Sequence, residues 1–171
     1  AYAQPPAWQG FARCGGFRTI DTALDVHLER ILRVVDVELI RRANLTVVLD
    51  SVNGAGSAIG PKLLAALGCR VVPIYTRPDQ LFPRDPEPTA HNVRHLGGVV
   101  RAMDADLGFV QDPDADRLAI VDDRGSYIGE EYTLVLCAAA RLAAEHLAGT
   151  ANLVVCTNLS TSRMLEDVAA R

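Results

Sequence analysis

The chain has 171 residues, enough for one complete domain and part of another. Hydrophobic residues make up 49%, which excludes a disordered chain. The net charge of −4, with Lys62 as the sole lysine among 17 basic residues, argues against nucleic acid as the main partner. No stretch is apolar over a membrane-spanning length, and the four cysteines (Cys14, Cys69, Cys137, Cys156) form no C-x-x-C pair, so a reduced, cytosolic setting is expected.

Residues 1–20 are rich in Pro, Gly and Gln, with scattered aromatics (Tyr2, Trp8, Phe11, Phe17), and read as a linker or the tail of a preceding domain. Asp21 or Thr22 is placed to cap a helix running to about Arg42, with Leu24, Leu28, Ile31, Leu32, Val35, Leu39 and Ile40 on its apolar face. Residues 45–50 are a short run rich in β-branched side chains, typical of a buried parallel strand. Asn53-Gly54-Ala55-Gly56 is a turn. Pro61 fits the first turn of the next helix, which ends near Leu67 with Gly68 as its stop. A second strand covers 70–75, and Pro73 marks it as an edge strand or a bulge. The irregular, proline-rich loop 76–92 follows, then a helix over 93–103. Strands are expected at 106–111 and 118–121, with a turn at 122–126, and a long amphipathic helix at 130–147. A new strand is expected over 152–157, and Thr161 or Ser162 would cap a last helix.

Short apolar strands alternating with helices argue an α/β layer with a mainly parallel sheet. The final strand–helix pair has nothing downstream to pack against. The chain therefore reads as a piece of something longer: a linker over 1–20, an α/β domain over 21–149, and the opening β-α of a next domain over 150–171.

The most informative stretch is Asp112-Pro113-Asp114-Ala115-Asp116-Arg117. Three carboxylates alternate on a tight loop directly after an apolar strand. Such crowding raises carboxylate pKa values and destabilises the fold, and a hard divalent cation removes that cost. The loop reads first as a metal site, and Arg117 beside it suggests that a phosphate shares the site. An EF-hand is a poor fit, because Arg117 stands where that loop needs Gly and the flanks read as strands. A solvated acidic turn is the plainer alternative. Gly54, Gly56 and Gly60 invite a dinucleotide-binding reading, but their spacing is G-x-G-x-x-x-G, and close strand-to-helix packing explains them better. Asp50, at a strand's carboxyl end, reads as a turn-stabilising side chain. His91 and His95 share a helix face but lack a third ligand for zinc, and an exposed helix start is the better reading.

Together these pieces resemble the α-D-phosphohexomutase superfamily of phosphoglucomutases, phosphomannomutases and phosphoglucosamine mutases. The carrying segments are 47–56, 82–89 (Phe-Pro-Arg-Asp-Pro-Glu-Pro-Thr) and 112–117, with support from Gly129-Glu130-Glu131 and from 160–165. The resemblance implies a three-layer α/β/α domain with a mixed, mainly parallel sheet, the second of four domains, followed by the first β-α unit of the third. It implies that Asp112, Asp114 and Asp116 hold Mg²⁺ and that Arg117 contacts phosphate in the active site. Pro113 departs from the commoner Gly of that loop. The implied reaction moves a phosphoryl group between a phosphoserine and a hexose phosphate through a sugar bisphosphate. The serine, the acid and base and the sugar contacts of the family lie outside the matching residues, so no catalytic residue is assigned here and the piece is not expected to act alone. A nucleotide-binding Rossmann-like module is the alternative function.

Overall fold

A computed structural model describes Gly10 and residues 15–170. Tyr2, Trp8, Phe11 and Cys14 of the expected linker, and Arg171, lie outside the described residues; residues 15–20 carry no helix or strand. The elements are α1 (Ala23–Leu32), α2 (Val37–Ala43), β1 (Thr46–Asp50), α3 (Gly56–Ala66), β2 (Arg70–Ile74), α4 (Arg94–Ala102), β3 (Leu107–Gln111), β4 (Leu118–Asp122), β5 (Tyr127–Gly129), α5 (Glu131–Leu147) and α6 (Met164–Ala169).

Five strands form one sheet in the order β2-β1-β3-β4-β5. β1 is parallel to both β2 and β3, whereas β3–β4 and β4–β5 are antiparallel. The sheet is mixed, with a parallel centre, as expected. Pro73 sits on the edge strand β2, where its missing N–H has no ladder to break.

Alternation along β1 creates the layers. Val47 and Leu49 pack with Leu64 of α3 and with Leu107 and Phe109 of β3. Val48 points the other way, into a larger cluster with Leu96 and Val100 of α4, Val110, Ala119 and Val121. Helices therefore cover both faces, and all five residues of β1 are buried. α5 packs against β4 and β5, and its Thr133 hydroxyl donates to the Leu118 carbonyl.

Four expectations change. The helix from Thr22 to Arg42 is two helices, because Asp36 accepts a hydrogen bond from Leu39 N at 2.9 Å and starts α2, just after the β-branched pair Val34-Val35. Neither α1 nor α2 buries a residue. Pro61 lies in the second turn of α3, since the turn after β1 passes into helix already at Gly56. β5 was not foreseen: three half-buried residues give no periodic signal. The strand expected over 152–157 does not form, because among the described residues no strand pairs with it; Val154 is exposed instead. The final helix does follow, with the Ser162 hydroxyl accepting from Met164 N at 3.3 Å.

Leu96 has no exposed surface and lies where α4 meets the sheet. Leu96→Ala is expected to lower the free energy of unfolding by about 2–5 kcal/mol in urea denaturation. A loss below about 1 kcal/mol would show that α4 is not a structural layer of this core.

Candidate metal centre

The chain goes from β1 through α3 to β2 on one side, then through α4 to β3 on the other side of β1. The order reverses between β1 and β3, and ligands bind outside the carboxyl ends of the strands at such a switch point in sheets of this kind. Two loops meet there: 51–55 after β1 and 112–117 after β3. They touch directly. Ala55 N donates to the Pro113 carbonyl at 2.8 Å, and a Cβ on Gly54 would lie 2.4 Å from that same oxygen. Gly54 is thus required by the approach of the acidic loop. Side chains at 56 and 60 would strike Gln111 and Leu49, so these glycines serve strand-to-helix packing, and the dinucleotide reading is not favoured.

The first loop is strained. Val52, fully buried, has φ +47° and Asn53 has φ +57°. Several bonds hold it. Asp50 Oδ1 accepts from Val52 N at 2.8 Å, the Tyr75 carbonyl accepts from Asn53 N at 2.6 Å, and Asn53 Oδ1 accepts from Arg77 N at 2.9 Å. Asp50 is the turn-stabilising group expected, but it does more. With no exposed surface, it also accepts from Arg84 Nε at 3.0 Å and Nη2 at 3.2 Å, and lies 3.1 Å from His95 Nε2. Arg84 Nη2 reaches on to the Gln111 carbonyl at 3.2 Å, next to the acidic loop. His95 is therefore a partner of Asp50, not a solvated helix start. The sequence gives no local signal for this trio, which is assembled from positions 34 and 45 residues apart.

In the second loop the bend falls at Ala115, with φ +62°, and Ala115 N donates to the Asp112 carbonyl at 3.2 Å. Pro113 is tolerated because the left-handed residue lies two positions beyond it. Asp112, Asp114 and Asp116 each offer an oxygen within 4.8 Å of the other two, the only such grouping of potential ligands among the described residues. Asp112 is buried and the other two are exposed. Burial pushes the Asp112 carboxyl up, but hydrogen bonds from Arg117 outweigh this and hold it below the usual range. Arg117 N donates to Oδ1 at 3.1 Å and Arg117 Nε to Oδ2 at 3.2 Å. Asp116 moves the other way: the charge of Asp114, and then of Asp112, raises its pKa. The loop thus carries negative charge that its own arginine leaves uncompensated. Three hard oxygen donors converging on such a spot fit a small divalent cation.

Arg117 also donates through Nη1 to Glu87 Oε1 at 2.6 Å, and this bond holds the Glu87 carboxyl below its ordinary range. Glu130 Oε2 lies 3.9 Å from the same Nη1. A cavity of about 700 Å³ opens beside the loop, lined by Asp116, Arg117, Glu130, Glu131, Ser160 and Thr161. The structure therefore brings Glu130, Glu131, Ser160 and Thr161 of the supporting segments to the same cavity as Asp116 and Arg117 of the acidic loop. Arg84, Glu87 and the wider role of Asp50 were missed in the sequence, and only their place in the recognised motifs could have drawn attention to them.

An open α/β sheet flanked by helices, with carboxylates and a guanidinium gathered at its switch point, is the architecture of a ligand-binding α/β domain. Residues 25–125 match the alpha/beta/alpha domain II of the phosphoglucomutase/phosphomannomutase family, and the chain belongs to that family. It is 41% identical over 146 residues to a phosphoglucomutase/phosphomannomutase of Thermococcus kodakarensis, an alignment that covers 85% of this chain and 31% of the relative. A phosphopentomutase of the same organism is 37% identical over 129 residues, covering 75% of this chain and 28% of its own length. A crystal structure of a phosphoglucomutase/phosphomannomutase family protein from Burkholderia thailandensis superposes with a TM-score of 0.60 at 30% identity, over 71% of this chain and 26% of that one. The chain thus spans about a third of the length of the curated relatives it matches.

Gly54→Ala is expected to push the Pro113 backbone away, lowering stability by about 1–3 kcal/mol and weakening divalent-cation binding together, as read by denaturation and calorimetry. Normal cation binding in a destabilised variant would separate the two loops. Because the Asp116 pKa is raised, the folded metal-free chain binds its proton more tightly than the unfolded chain does. Its contribution to stability therefore falls as pH rises from the ordinary aspartate range through the raised pKa. Mg²⁺ is expected to reverse the shift, moving the Asp116 carboxyl resonance to titrate at lower pH in NMR; an unmoved titration would place the cation elsewhere.

Proposed function

We propose that this chain is the metal-holding part of a phosphohexomutase, which interconverts hexose 1-phosphate and hexose 6-phosphate. The observation that carries the reading is the convergence of Asp112, Asp114 and Asp116 at the switch point of a domain that matches the family. In this reading the three carboxylates hold Mg²⁺, which when bound neutralises phosphate oxygens at the reacting centre. Asp112 fixes Arg117 through two hydrogen bonds and so orients the guanidinium that lines the cavity. Arg117 offers planar donors suited to phosphate.

The phosphoryl group leaves a serine oxygen carried outside these residues and joins the free hydroxyl oxygen of the sugar monophosphate, and the hydroxyl's proton passes to the serine oxygen. The other phosphoryl of the resulting bisphosphate then returns to the serine, so serine and sugar each recover their starting balance. Such transfer depends on positioning and charge neutralisation more than on covalent help. The acid and base, the sugar contacts and the choice among glucose, mannose and glucosamine phosphates belong to other segments of the complete enzyme. A cytoplasmic setting accords with cysteines that form no C-x-x-C pair, and the net charge of −4 argues against nucleic acid as the main partner. Among the described residues no helix is long and apolar enough to cross a membrane.

Calorimetric titration with Mg²⁺ tests the site. Asp112→Ala, Asp114→Ala and Asp116→Ala are each expected to lower affinity by about tenfold or more. Affinity unchanged in all three overturns the assignment. The 171-residue chain alone is expected to show no conversion of glucose 1-phosphate to glucose 6-phosphate, and turnover by it would refute the division of labour.

A further inference from the structure

Glu87 is exposed, yet the backbone that carries it is fixed on every side. Pro86 and Pro88 flank it and limit its torsions. Glu87 N donates to Asp85 Oδ1 at 3.3 Å, and the Glu87 carbonyl accepts from Thr89 N at 2.9 Å and Asn92 Nδ2 at 3.0 Å. Three residues earlier, Arg84 anchors the strap to Asp50 and to the Gln111 carbonyl. One residue later, the Pro88 carbonyl accepts from the Tyr127 hydroxyl at 2.8 Å. All this holds one side chain whose ion-pair partner is Arg117. Exposed ion pairs add little to stability, so the rigidity is out of proportion to a stabilising role. It fits a side chain held in place to support a site.

The position of Arg117 shows what is being supported. Its Nε lies 3.2 Å from Asp112 Oδ2 and 4.0 Å from Asp116 Oδ1. A guanidinium free to turn about its stem would settle across the carboxylates as an internal cation. Glu87 Oε1 takes Nη1 at 2.6 Å and draws that end of the fork away from them. We propose that Glu87 is a positioning residue that keeps the Nη end of the Arg117 guanidinium off Asp114 and Asp116, leaving their oxygens open to a divalent cation. This inference rests on the reading of Asp112, Asp114 and Asp116 as metal ligands.

Mn²⁺ affinity of the chain, read by electron paramagnetic resonance, provides the test. Glu87→Gln and Glu87→Asp are each expected to weaken binding by roughly three- to tenfold, because aspartate keeps the charge but not the reach. Melting temperatures are expected to change by less than about 2 °C. The double variant E87Q/R117Q is expected to bind as R117Q does, since the internal competitor is gone. A through-space effect of the Glu87 charge would instead leave E87D at parental affinity and make E87Q/R117Q weaker than R117Q; either result, or unchanged binding in E87Q, overturns the inference. If the three Asp→Ala variants bind Mn²⁺ as the parent does, the metal reading fails. A crystal structure of E87Q without metal then decides the restraint on its own. Arg117 Nη1 or Nη2 is expected within about 4 Å of an Asp114 or Asp116 oxygen, and an unmoved guanidinium sinks it.

Discussion

A carboxylate with no access to water has to be answered on all of its lone pairs, and the way this domain answers Asp50 fixes the geometry around it. Asp50 closes β1 and is fully buried. Its two oxygens meet the backbone of the following turn, both ends of the Arg84 fork and the His95 ring. Each partner belongs to a different part of the chain: the turn after β1, the proline-rich crossing and α4. Desolvating two such charges costs several kcal/mol per ion, so the pair is weak grounds for net stability and strong grounds for a unique arrangement. Through Arg84 that arrangement extends to the residue before the acidic loop.

The chemistry of the acidic loop follows from unequal neutralisation. Arg117 satisfies the buried member, Asp112, with a main-chain and a side-chain donor, so this carboxylate is ionised and fixed. Asp114 and Asp116 project to solvent without equivalent compensation, and Asp116 bears the cost as a raised pKa. One anchored carboxylate and two that can adjust would, in the proposed metal reading, suit an ion whose bonding distances are short and whose shell includes oxygens from elsewhere.

Much of this was legible in the sequence. Runs such as Thr46–Asp50 and Leu107–Gln111 are dense in apolar residues, and their strand character does not depend on distant partners. The aspartate loop was legible because three carboxylates at alternate positions are local. What stayed hidden is of two kinds. Breaks and short pieces, such as Asp36 starting α2 or the three residues of β5, are decided by single capping bonds and ladder partners. The segment 152–157 has strand composition but no ladder among the described residues, and composition cannot supply one. The supports of the site, Asp50 with Arg84 and His95, and Glu87 with Arg117, join positions 30 to 45 residues apart. No periodicity encodes such meetings, which arise only once the sheet has set its strand order.

The antiparallel step from β3 to β4 carries a consequence for ion choice. Gln111 and Leu118 face each other across that ladder and stand immediately either side of the acidic segment, so the weave of the sheet pins both its ends. The segment is the mouth of a hairpin, and it cannot widen for a larger ion without unzipping the first rung. In the proposed metal reading, discrimination between cations of different radius falls to side-chain torsions at 114 and 116, and replacing those two residues would retune the site while leaving the scaffold beneath it untouched.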